Sequence, residues 1–443
     1  MKISSLQVKD IRFPTSLDAD GSDAMHPDPD YSCAYVIIKG DGKHEGHGLT
    51  FTIGRGTDIV VVAAKSLARF VVGRNTTDIF CNFGKFYREL TSDSQLRWIG
   101  PEKGVIHLAT AAVLNALWDL WGKMSNKPVW KLLADMRPEE IVSLIDFRYI
   151  SDALTEEEAL DILRKGQQGK EIREKAMLES GFPAYTTHCG WIGYSDDKIR
   201  MLCKKYLADG FTKFKVKIGA DLQDDIRRCT IIREEIGYEN QMMTDANQRW
   251  NVQESIDWMK ALARFKPLWI EEPTSPDDVL GHAAIAKALN PIGIGVATGE
   301  QCQNRVMFKQ FLQAEAMQYC QIDAARVGGV NENIAIMLLA EKFGVPVCPH
   351  AGGVGLCELV QHLQFFNIIC ISTDIGKKVI EHVDHLHEHF KDPVRTRNAC
   401  YLAPTMAGYS CEMHEQSLID YEYPNGPKWQ QLFKEGKFKP EII

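Results

Sequence analysis

The sequence predicts an α/β protein in which a parallel barrel of eight strands follows a smaller α+β domain. Two observations carry this prediction. From about Ala184 onward, short apolar segments alternate with amphipathic helical segments, and polar or charged residues end most of the apolar segments. Such alternation is typical of βα units with parallel strands. A doubly wound open sheet has the same periodicity, so the polar residues at the strand ends must decide between the two.

The first part of the chain has the pattern of a compact α+β domain. Residues 1–14 alternate apolar and polar side chains, which predicts a strand rather than a signal or transit helix. The next elements are predicted to be strands at Ala34–Lys39 and Leu49–Ile53 and helices at Val60–Val72, Ile79–Thr91 and Glu102–Met124. The last helix carries Asn115 and Asp119 inside its apolar stretch, which predicts a core helix rather than a membrane span.

Eight strand candidates then follow at a spacing of about 27 residues, the length of one βα unit. They are Ala184–Cys189, Phe211–Ile218, Gln241–Ala246, Leu268–Glu271, Ile294–Thr298, Met317–Ile322, Val345–Pro349 and Val379–His382. A charged helical stretch at residues 155–179 precedes them. It has little core pattern and predicts an insertion on the surface.

Composition and charge restrict the function classes. Lys and Arg number 51 against 59 Asp and Glu, so a net charge of −8 offers no broad basic surface to nucleic acid or anionic lipid. The 12 cysteines form no CxxC pair, which predicts reduced thiols in an intracellular protein. The chain has no Walker-type GK[ST] segment and no GxSxG segment. The expected partner is a small molecule, with no nucleic acid and no membrane, and a homo-oligomer is compatible with the sequence.

Three carboxylates, Asp245, Glu271 and Glu300, end three consecutive strand candidates. Each alone would more often be a surface carboxylate or a helix N-cap. In register, they would share the mouth of a barrel, where the carboxyl ends of all strands meet. They form the oxygen set that Mg²⁺ prefers, and no Cys/His set suited to zinc accompanies them. The sequence therefore selects the barrel and predicts a Mg²⁺ site.

A base and an acid flank this predicted metal site. Lys215 and Lys217 lie two apart on one strand, so both point to the same face. Their mutual repulsion, together with a nearby cation, is expected to lower a lysine pKa toward that of a useful base. His350 follows Asp323 by one βα unit, and this carboxylate can fix the imidazole tautomer. A base and an acid on opposite sides of a metal-bound carboxylate suit removal of the proton α to it.

Other segments are weaker candidates for a catalytic or binding site. The His385–His389 run lies beyond the last strand without an acidic partner in register, which predicts a solvated helix or turn. The glycine-rich Gly352–Gly355 run lacks the dinucleotide-binding spacing. A hydrolytic metal barrel would need two histidines on its first strand, where His188 stands alone.

These residues resemble the mandelate racemase branch of the enolase superfamily. The motifs are Lys215-Val216-Lys217, Asp245-Ala246-Asn247, Glu271-Glu272-Pro273, Gly299-Glu300, Asp323, His350 and the helical stretch Ala116–Leu133. The resemblance implies a modified TIM barrel of the (β/α)7β type with an α+β capping domain. It implies that residues 1–135, completed by residues 391–443, form the cap and that residues 136–390 form the catalytic barrel.

Within this branch the chain is similar to the L-fuconate dehydratases. The likeness lies in Phe13–Leu17, Gly21–His26, Asp28–Tyr31, Tyr185–Thr187, His350–Glu358 and Glu381–Phe390. It implies a Mg²⁺-dependent hydro-lyase that makes 2-keto-3-deoxy-L-fuconate, in which Lys217 takes the C2 proton and His350, supported by Asp323, assists loss of the 3-hydroxyl. The implied substrate contacts are Gly21, Ser22, Asp23, Tyr31, Lys215, Asn247, Glu271, Glu300, His350, Ala351, Gly352 and Glu381.

Three alternatives remain at this point. The same residues would serve a dehydratase of another acid sugar, or a racemase or epimerase. A third alternative is a non-catalytic regulatory protein on this fold, although no predicted catalytic position is lost. For location, the resemblance to animal members favours the mitochondrion, whereas the strand-like first 14 residues leave the cytoplasm as the alternative.

Overall fold

The computed structural model describes residues 1–441, and it begins with a three-stranded antiparallel sheet. The strands are β1 (Ile3–Arg12), β2 (Ser32–Gly40) and β3 (Gly46–Thr52), and they pair in that order. All three predicted strands are therefore present. The loop from Phe13 to Tyr31, which joins β1 to β2, contains a short 3₁₀ turn at Thr15–Asp18.

Helices cover one face of this sheet and lead toward the barrel. They are α1 (Thr57–Ser66), α2 (Ala68–Val71), α3 (Thr76–Phe80), α4 (Phe83–Thr91), α5 (Leu96–Ile99), α6 (Gly104–Met124), α7 (Val129–Ala134) and α8 (Pro138–Ser143). The helix predicted over residues 79–91 is interrupted, because Asn82 leaves the helical conformation at φ −140° and ψ 50°.

Helix α6 is the central helix of the cap. Strand β3 lies directly on it: a Cβ atom at Gly48 would come within 2.3 Å of the backbone nitrogen of Ala116. The buried Asp119 carboxylate accepts a hydrogen bond from the backbone N–H of His47 at 2.9 Å. By length and composition α6 could also cross a membrane, but 72% of its apolar window is buried inside the protein. The polar residues within it thus correctly predict a core helix.

Two helices, α9 (Glu156–Gln167) and α10 (Lys170–Ser180), precede the barrel. The prediction of a surface insertion is wrong for α9. Its Ala159 and Leu163 are fully buried, and Gly166 lies so close to the carbonyl of Cys370 that no side chain would fit. Because these three small or apolar residues recur at i, i+4 and i+7, they form a narrow packing stripe among charged neighbours.

The remaining strands close a parallel barrel. They are β4 (Phe182–Thr186), β5 (Lys213–Lys217), β6 (Gln241–Asp245), β7 (Pro267–Glu271), β8 (Gly295–Thr298), β9 (Tyr319–Cys320) and β10 (Ile380–His382). Strands β4 to β9 pair in chain order, and β10 pairs with β4. The interior is filled on one side by a second apolar cluster of Tyr185, Met243, Trp269, Ala297, Tyr319, Cys348 and Val379.

The strand predicted at Val345–Pro349 is wrong as a regular strand, because it contributes one bridge, between Val347 and Cys320. Pro346 and Pro349 have no N–H to donate to a ladder. The segment still fills the gap in the barrel, since the Pro349 carbonyl accepts a hydrogen bond from the Glu381 N–H at 3.2 Å.

Seven helices connect the eight strand positions. They are α11 (Asp196–Ala208), α12 (Leu222–Ile236), α13 (Val252–Leu262), α14 (Val279–Leu289), α15 (Arg305–Gln313), α16 (Gly329–Lys342) and α17 (Leu356–Phe366). Short turns complete them: 3₁₀ turns at Ala263–Phe265, Asn290–Ile292 and His387–His389 and a π-helical turn at Asn367–Ile371. The predicted fold class, a (β/α)7β barrel with an α+β cap, is confirmed.

The C-terminal segment touches both parts of the molecule. Its strands β11 (Thr396–Arg397) and β12 (Cys400–Tyr401) extend the barrel beside β4, and its helices are α18 (Glu415–Asp420) and α19 (Pro427–Lys434). On the cap side, the indole N–H of Trp429 donates to the Arg12 carbonyl at 3.0 Å. The division at residues 135 and 391 therefore stays a proposal, and residues 442–443 of the predicted cap segment lie outside the described residues.

Candidate active site

The predicted metal ligands meet at the carboxyl ends of the barrel strands. Asp245 and Glu271 are the last residues of β6 and β7 and stand in register with each other. Glu300 follows the end of β8, and all three side chains are buried. One oxygen of each carboxylate lies within 4.8 Å of the others. The structure thus assembles the triad that the strand spacing predicts.

This triad fits a hard divalent cation such as Mg²⁺. The buried Oε2 atom of Glu300 has no hydrogen-bond partner among residues 1–441. Burial, followed by the charge of Asp245, raises the pKa of Glu271 to about 8. A cation bound among the three carboxylates would give Oε2 of Glu300 a partner and relieve the repulsion between Glu271 and Asp245. Mg²⁺ is typically held by a few carboxylates and keeps positions for ligand oxygens.

Lys217 extends from β5 to one end of the triad. Its Nζ atom lies 2.5 Å from Oδ2 of Asp245 and 3.0 Å from Oδ1 of Asn247. Burial lowers the pKa of Lys217, but the Asp245 carboxylate outweighs burial and the pKa is raised overall. Lys215 does lower the pKa of Lys217, as predicted, but Asp245 outweighs it, so the expected net lowering is not found among the protein's own groups.

Lys215 lies deeper in the barrel and is surrounded by carboxylates. Its Nζ atom is 2.7 Å from Oε1 of Glu271, 2.8 Å from Oε1 of Glu381 and 3.3 Å from Oδ2 of Asp245. Burial lowers the pKa of Lys215, but Glu271 and then Glu381 raise it well above its ordinary value. Lys215 is therefore suited to be a fixed positive charge and not a base.

His350 stands at the other end of the triad. Its Nδ1 atom is 2.8 Å from Oδ2 of Asp323, and its Nε2 atom is 3.4 Å from Oε2 of Glu300. Burial lowers the pKa of His350, but Glu300 and the hydrogen bond to Asp323 raise it to about 9. The predicted Asp–His pair is present, and its imidazole is held in the protonated form that an acid requires.

A cavity of about 340 Å³ opens onto these groups between barrel and cap. The predicted residues that line it are Gly21, Asp23, Tyr31, Lys217, Asn247, Glu300, Asp323, His350 and Gly352. Other predicted residues are buried and do not line it, namely Ser22, Lys215, Asp245, Glu271, Ala351 and Glu381. A larger cavity of about 720 Å³, beside Arg97 and Lys309, lies elsewhere and contains none of the predicted site residues.

The loop of residues 21–31 covers the cavity from the cap side. Gly21 has a φ of +83°, and a Cβ atom there would lie 2.4 Å from the Tyr31 ring, so only glycine fits. The Ser22 carbonyl accepts a hydrogen bond from the Ile192 N–H at 3.0 Å, and the Tyr194 hydroxyl bonds the Asp20 carboxylate. The loop is therefore tied to the barrel.

Sequence reasoning missed several cavity residues. Those from the cap include His26, Phe51, Ile53, Val105 and Leu108, and those from the barrel are Gln301 and Arg326. His26 belongs to one of the segments that resemble the family. A single histidine in a loop does not indicate a function, however, unless the residues around it in space are known. The apolar residues gave no signal, because they become part of a site only when cap and barrel meet.

The prediction of a solvated turn at His385–His389 is also wrong. His387 and its neighbours form a 3₁₀ turn, but Nδ1 of His387 lies 2.6 Å from Oε1 of Glu358 and Nε2 lies 2.8 Å from the Val383 carbonyl. The acidic partner comes from α17 and not from a strand, which the register argument overlooked. Since both ring nitrogens face acceptors, His387 is protonated and is a poor metal ligand, although it lies near His382 and Asp384.

Two family models match this architecture. Residues 24–134 match the N-terminal domain of the mandelate racemase/muconate lactonizing enzymes, and residues 198–417 match the enolase C-terminal domain-like family. The fold and site define an enzyme of the acid-sugar dehydratase and racemase kind. The chain belongs to the enolase superfamily, in its mandelate racemase/muconate lactonizing enzyme branch, as predicted.

Individual relatives match over nearly the whole chain. Mitochondrial enolase superfamily member 1 of Xenopus laevis is 63% identical over 98% of both chains, and L-galactonate dehydratase of Hypocrea jecorina is 54% identical over 96% of both. The crystal structure of human mitochondrial enolase superfamily member 1 matches with a TM-score of 0.97 at 62% identity, covering 97% of this chain and 98% of that one. A racemase from Streptomyces coelicolor with bound magnesium matches with a TM-score of 0.71 at 25% identity, covering 93% and 97%.

Proposed function

We propose that the protein is a Mg²⁺-dependent dehydratase that converts L-fuconate to 2-keto-3-deoxy-L-fuconate. One observation carries the proposal: Lys217 and His350 stand at opposite ends of one carboxylate triad. Lys217 contacts Asp245 at 2.5 Å, and His350 lies 3.4 Å from Glu300. A base and an acid placed on either side of a bound substrate suit removal of a proton from C2 and loss of a hydroxyl from C3.

The cofactor is Mg²⁺, and Asp245, Glu271 and Glu300 would hold it. When bound, it supplies the positive charge that stabilises the negative charge developing on the substrate carboxylate. Lys215, kept charged by Glu271 and Glu381, adds a fixed positive charge beneath the same region. The racemase that carries bound magnesium supports this choice of metal.

In the proposed reaction, the neutral amine of Lys217 takes the proton from C2, and the electrons of that C–H bond form the C2–C3 double bond of an enol. As this double bond forms, the bond between C3 and its hydroxyl oxygen breaks. His350 gives a proton to the departing oxygen, which leaves as water, and Asp323 holds Nδ1 so that Nε2 faces the substrate. The enol then gains a proton at C3 and loses the proton of its C2 hydroxyl group, which gives the 2-keto-3-deoxy acid.

A second substrate has a specific observation in its favour. The relative from Hypocrea jecorina, 54% identical over 96% of both chains, is named L-galactonate dehydratase. L-fuconate is the 6-deoxy form of L-galactonate, so the two differ in one hydroxyl far from C2 and C3. The reacting groups would serve both acids, and the distal part of the cavity would choose between them.

The proposal is tested by incubating purified protein and Mg²⁺ with a panel of acid sugars and detecting the 2-keto-3-deoxy product with a carbonyl reagent. Turnover of L-fuconate at the highest kcat/KM, lost on chelation and restored by Mg²⁺, is the expected result. A preference for L-galactonate would mean that the proposed reaction is right and the proposed substrate is wrong. No product from any acid, with the protein folded, would contradict dehydration and favour racemisation or a non-catalytic role.

We further propose a mitochondrial location, which rests on the names of the relatives from Xenopus laevis and Homo sapiens at 63% and 62% identity. Fractionation of cells that express the full chain tests it. Recovery with the matrix is expected, and recovery in the cytosol would contradict it.

A further inference from the structure

His26 lies on the cap loop and lines the cavity together with Lys217 and Glu300. Its ring is held by Asp23: Nδ1 of His26 is 3.0 Å from Oδ2 and 3.1 Å from Oδ1 of that carboxylate. The backbone N–H groups of Met25 and His26 also donate to Oδ1 of Asp23, both at 2.7 Å. The Asp23 carboxylate is therefore occupied within the loop, and its main effect is to fix the imidazole.

This arrangement repeats that of the acid on the barrel side. His350 also uses Nδ1 to bind a carboxylate, that of Asp323 at 2.8 Å, while its Nε2 atom lies 3.4 Å from Glu300 at the cavity. The hydrogen bonds of the His26 ring within residues 1–441 likewise use Nδ1, which leaves Nε2 for a ligand. The side chain of His26 keeps 35% of its surface exposed, so a bound molecule can reach it.

The loop holds His26 in place from both sides. At its base, the Ser16 hydroxyl donates to Oδ1 of Asp30 at 2.7 Å. At its tip, the Ser22 hydroxyl donates to the Pro27 carbonyl at 3.1 Å, and the Ser22 carbonyl binds the barrel. A side chain whose loop is fixed at both ends loses little entropy on binding a ligand, which favours a recognition role.

The cap wall around His26 is largely apolar. Phe51, Ile53, Val105 and Leu108 line it, and the cap side chains beside His26 that can hydrogen-bond a ligand are few, including Tyr31, Thr52 and Arg55. A polyhydroxylated acid that enters this cavity leaves hydroxyl groups facing the cap, and each needs a hydrogen-bond partner once water is excluded.

We propose that His26 is a substrate-binding residue whose Nε2 atom forms a hydrogen bond with a hydroxyl group of the bound acid sugar. Asp23 then acts as a positioning residue for His26. This inference rests on the proposed function, because it takes the ligand to be an acid sugar.

Two amide substitutions separate recognition from loop structure. The His26→Asn side chain places its N–H₂ group near the position of Nδ1, so it keeps the bond to Asp23 and loses the hydrogen-bonding atom at the position of Nε2. The His26→Gln side chain reaches the position of Nε2 and places there an amide group that can donate or accept a hydrogen bond. His414→Asn, at an exposed histidine outside the cavity, is the matched control.

The measurement is kcat and KM of each variant with the best acid sugar, together with its thermal midpoint. We expect His26→Asn to raise KM about tenfold or more with an unchanged thermal midpoint, and His26→Gln to recover much of that loss. An unchanged KM in His26→Asn, or a loss that follows the thermal midpoint, would overturn the inference and leave the proposed function standing. Absence of any turnover by the unaltered protein would overturn both.

Discussion

The Nζ atom of Lys217 lies 2.5 Å from Oδ2 of Asp245. One carboxylate thus serves the proposed base and the proposed metal site. With Asp245 fully available to Lys217, the pKa of the lysine is raised and its ammonium form is favoured. A cation that shares Asp245 withdraws that stabilisation, so metal binding and activation of the base are coupled through one side chain.

Loss of the base is the first test. Lys217→Met should lower turnover by about 10²–10⁴-fold, the usual contribution of a positioned base, while circular dichroism stays unchanged. Lys213→Met, on the same strand but outside the cavity, is the control and should retain activity. Near-normal turnover in Lys217→Met would show that another group takes the C2 proton.

Mg²⁺ binding tests the triad directly. Glu300→Gln removes one charged ligand, and we expect titration calorimetry to show affinity for Mg²⁺ reduced by about 10-fold or more. Asp257→Asn, at an exposed carboxylate on α13, is the control and should bind as the unaltered protein does. Equal affinity in Glu300→Gln would place the metal elsewhere.

Asp323 is expected to act through His350. Asp323→Asn removes the carboxylate that helps to raise the pKa of His350 to about 9. The proposed acid is active when protonated, so activity should fall as pH rises through the His350 pKa, and this fall should begin at lower pH in the variant. A pH–kcat profile checks the shift. A uniform loss at all pH values would instead indicate a structural effect.

The reacting groups could be predicted, whereas their surroundings could not. Asp245, Glu271 and Glu300 follow from strand spacing, because parallel strands bring their carboxyl ends together at one mouth. The position of His26 depends on how a loop of the cap meets the barrel. The pattern of residues along the sequence contains no information about that contact. The Lys217 pKa was misjudged for the same reason, since carboxylates from neighbouring strands outweigh the lysine two residues away.

The His387–Glu358 pair gives a pH-dependent stability. Burial lowers the pKa of His387, but Glu358 outweighs it and raises the pKa to about 9. The stabilisation is therefore complete below the unfolded value of about 6.5 and is lost as pH rises through about 9. His387→Gln should lower the free energy of unfolding by roughly 3 kcal/mol at pH 6 and by much less at pH 9.5. Urea unfolding at both pH values checks this, and an equal difference at both would contradict it.

The close packing of β3 on α6 in the cap can be tested by a substitution at Gly48. A methyl group at Gly48 would overlap the backbone of Ala116, so Gly48→Ala should cost about 1–3 kcal/mol and lower the thermal midpoint. Gly42→Ala is the control, because its new methyl group meets the movable side chain of Met1. Equal midpoints in the two variants would mean that the sheet can move away from α6.

The most direct test of dehydration is proton NMR of the reaction of L-fuconate in D₂O with Mg²⁺. The account predicts a 2-keto-3-deoxy product that carries one deuterium at C3, and no product with Lys217→Met. Recovery of L-fuconate or its C2 epimer with deuterium at C2, and no 3-deoxy product, would contradict dehydration and identify a racemase.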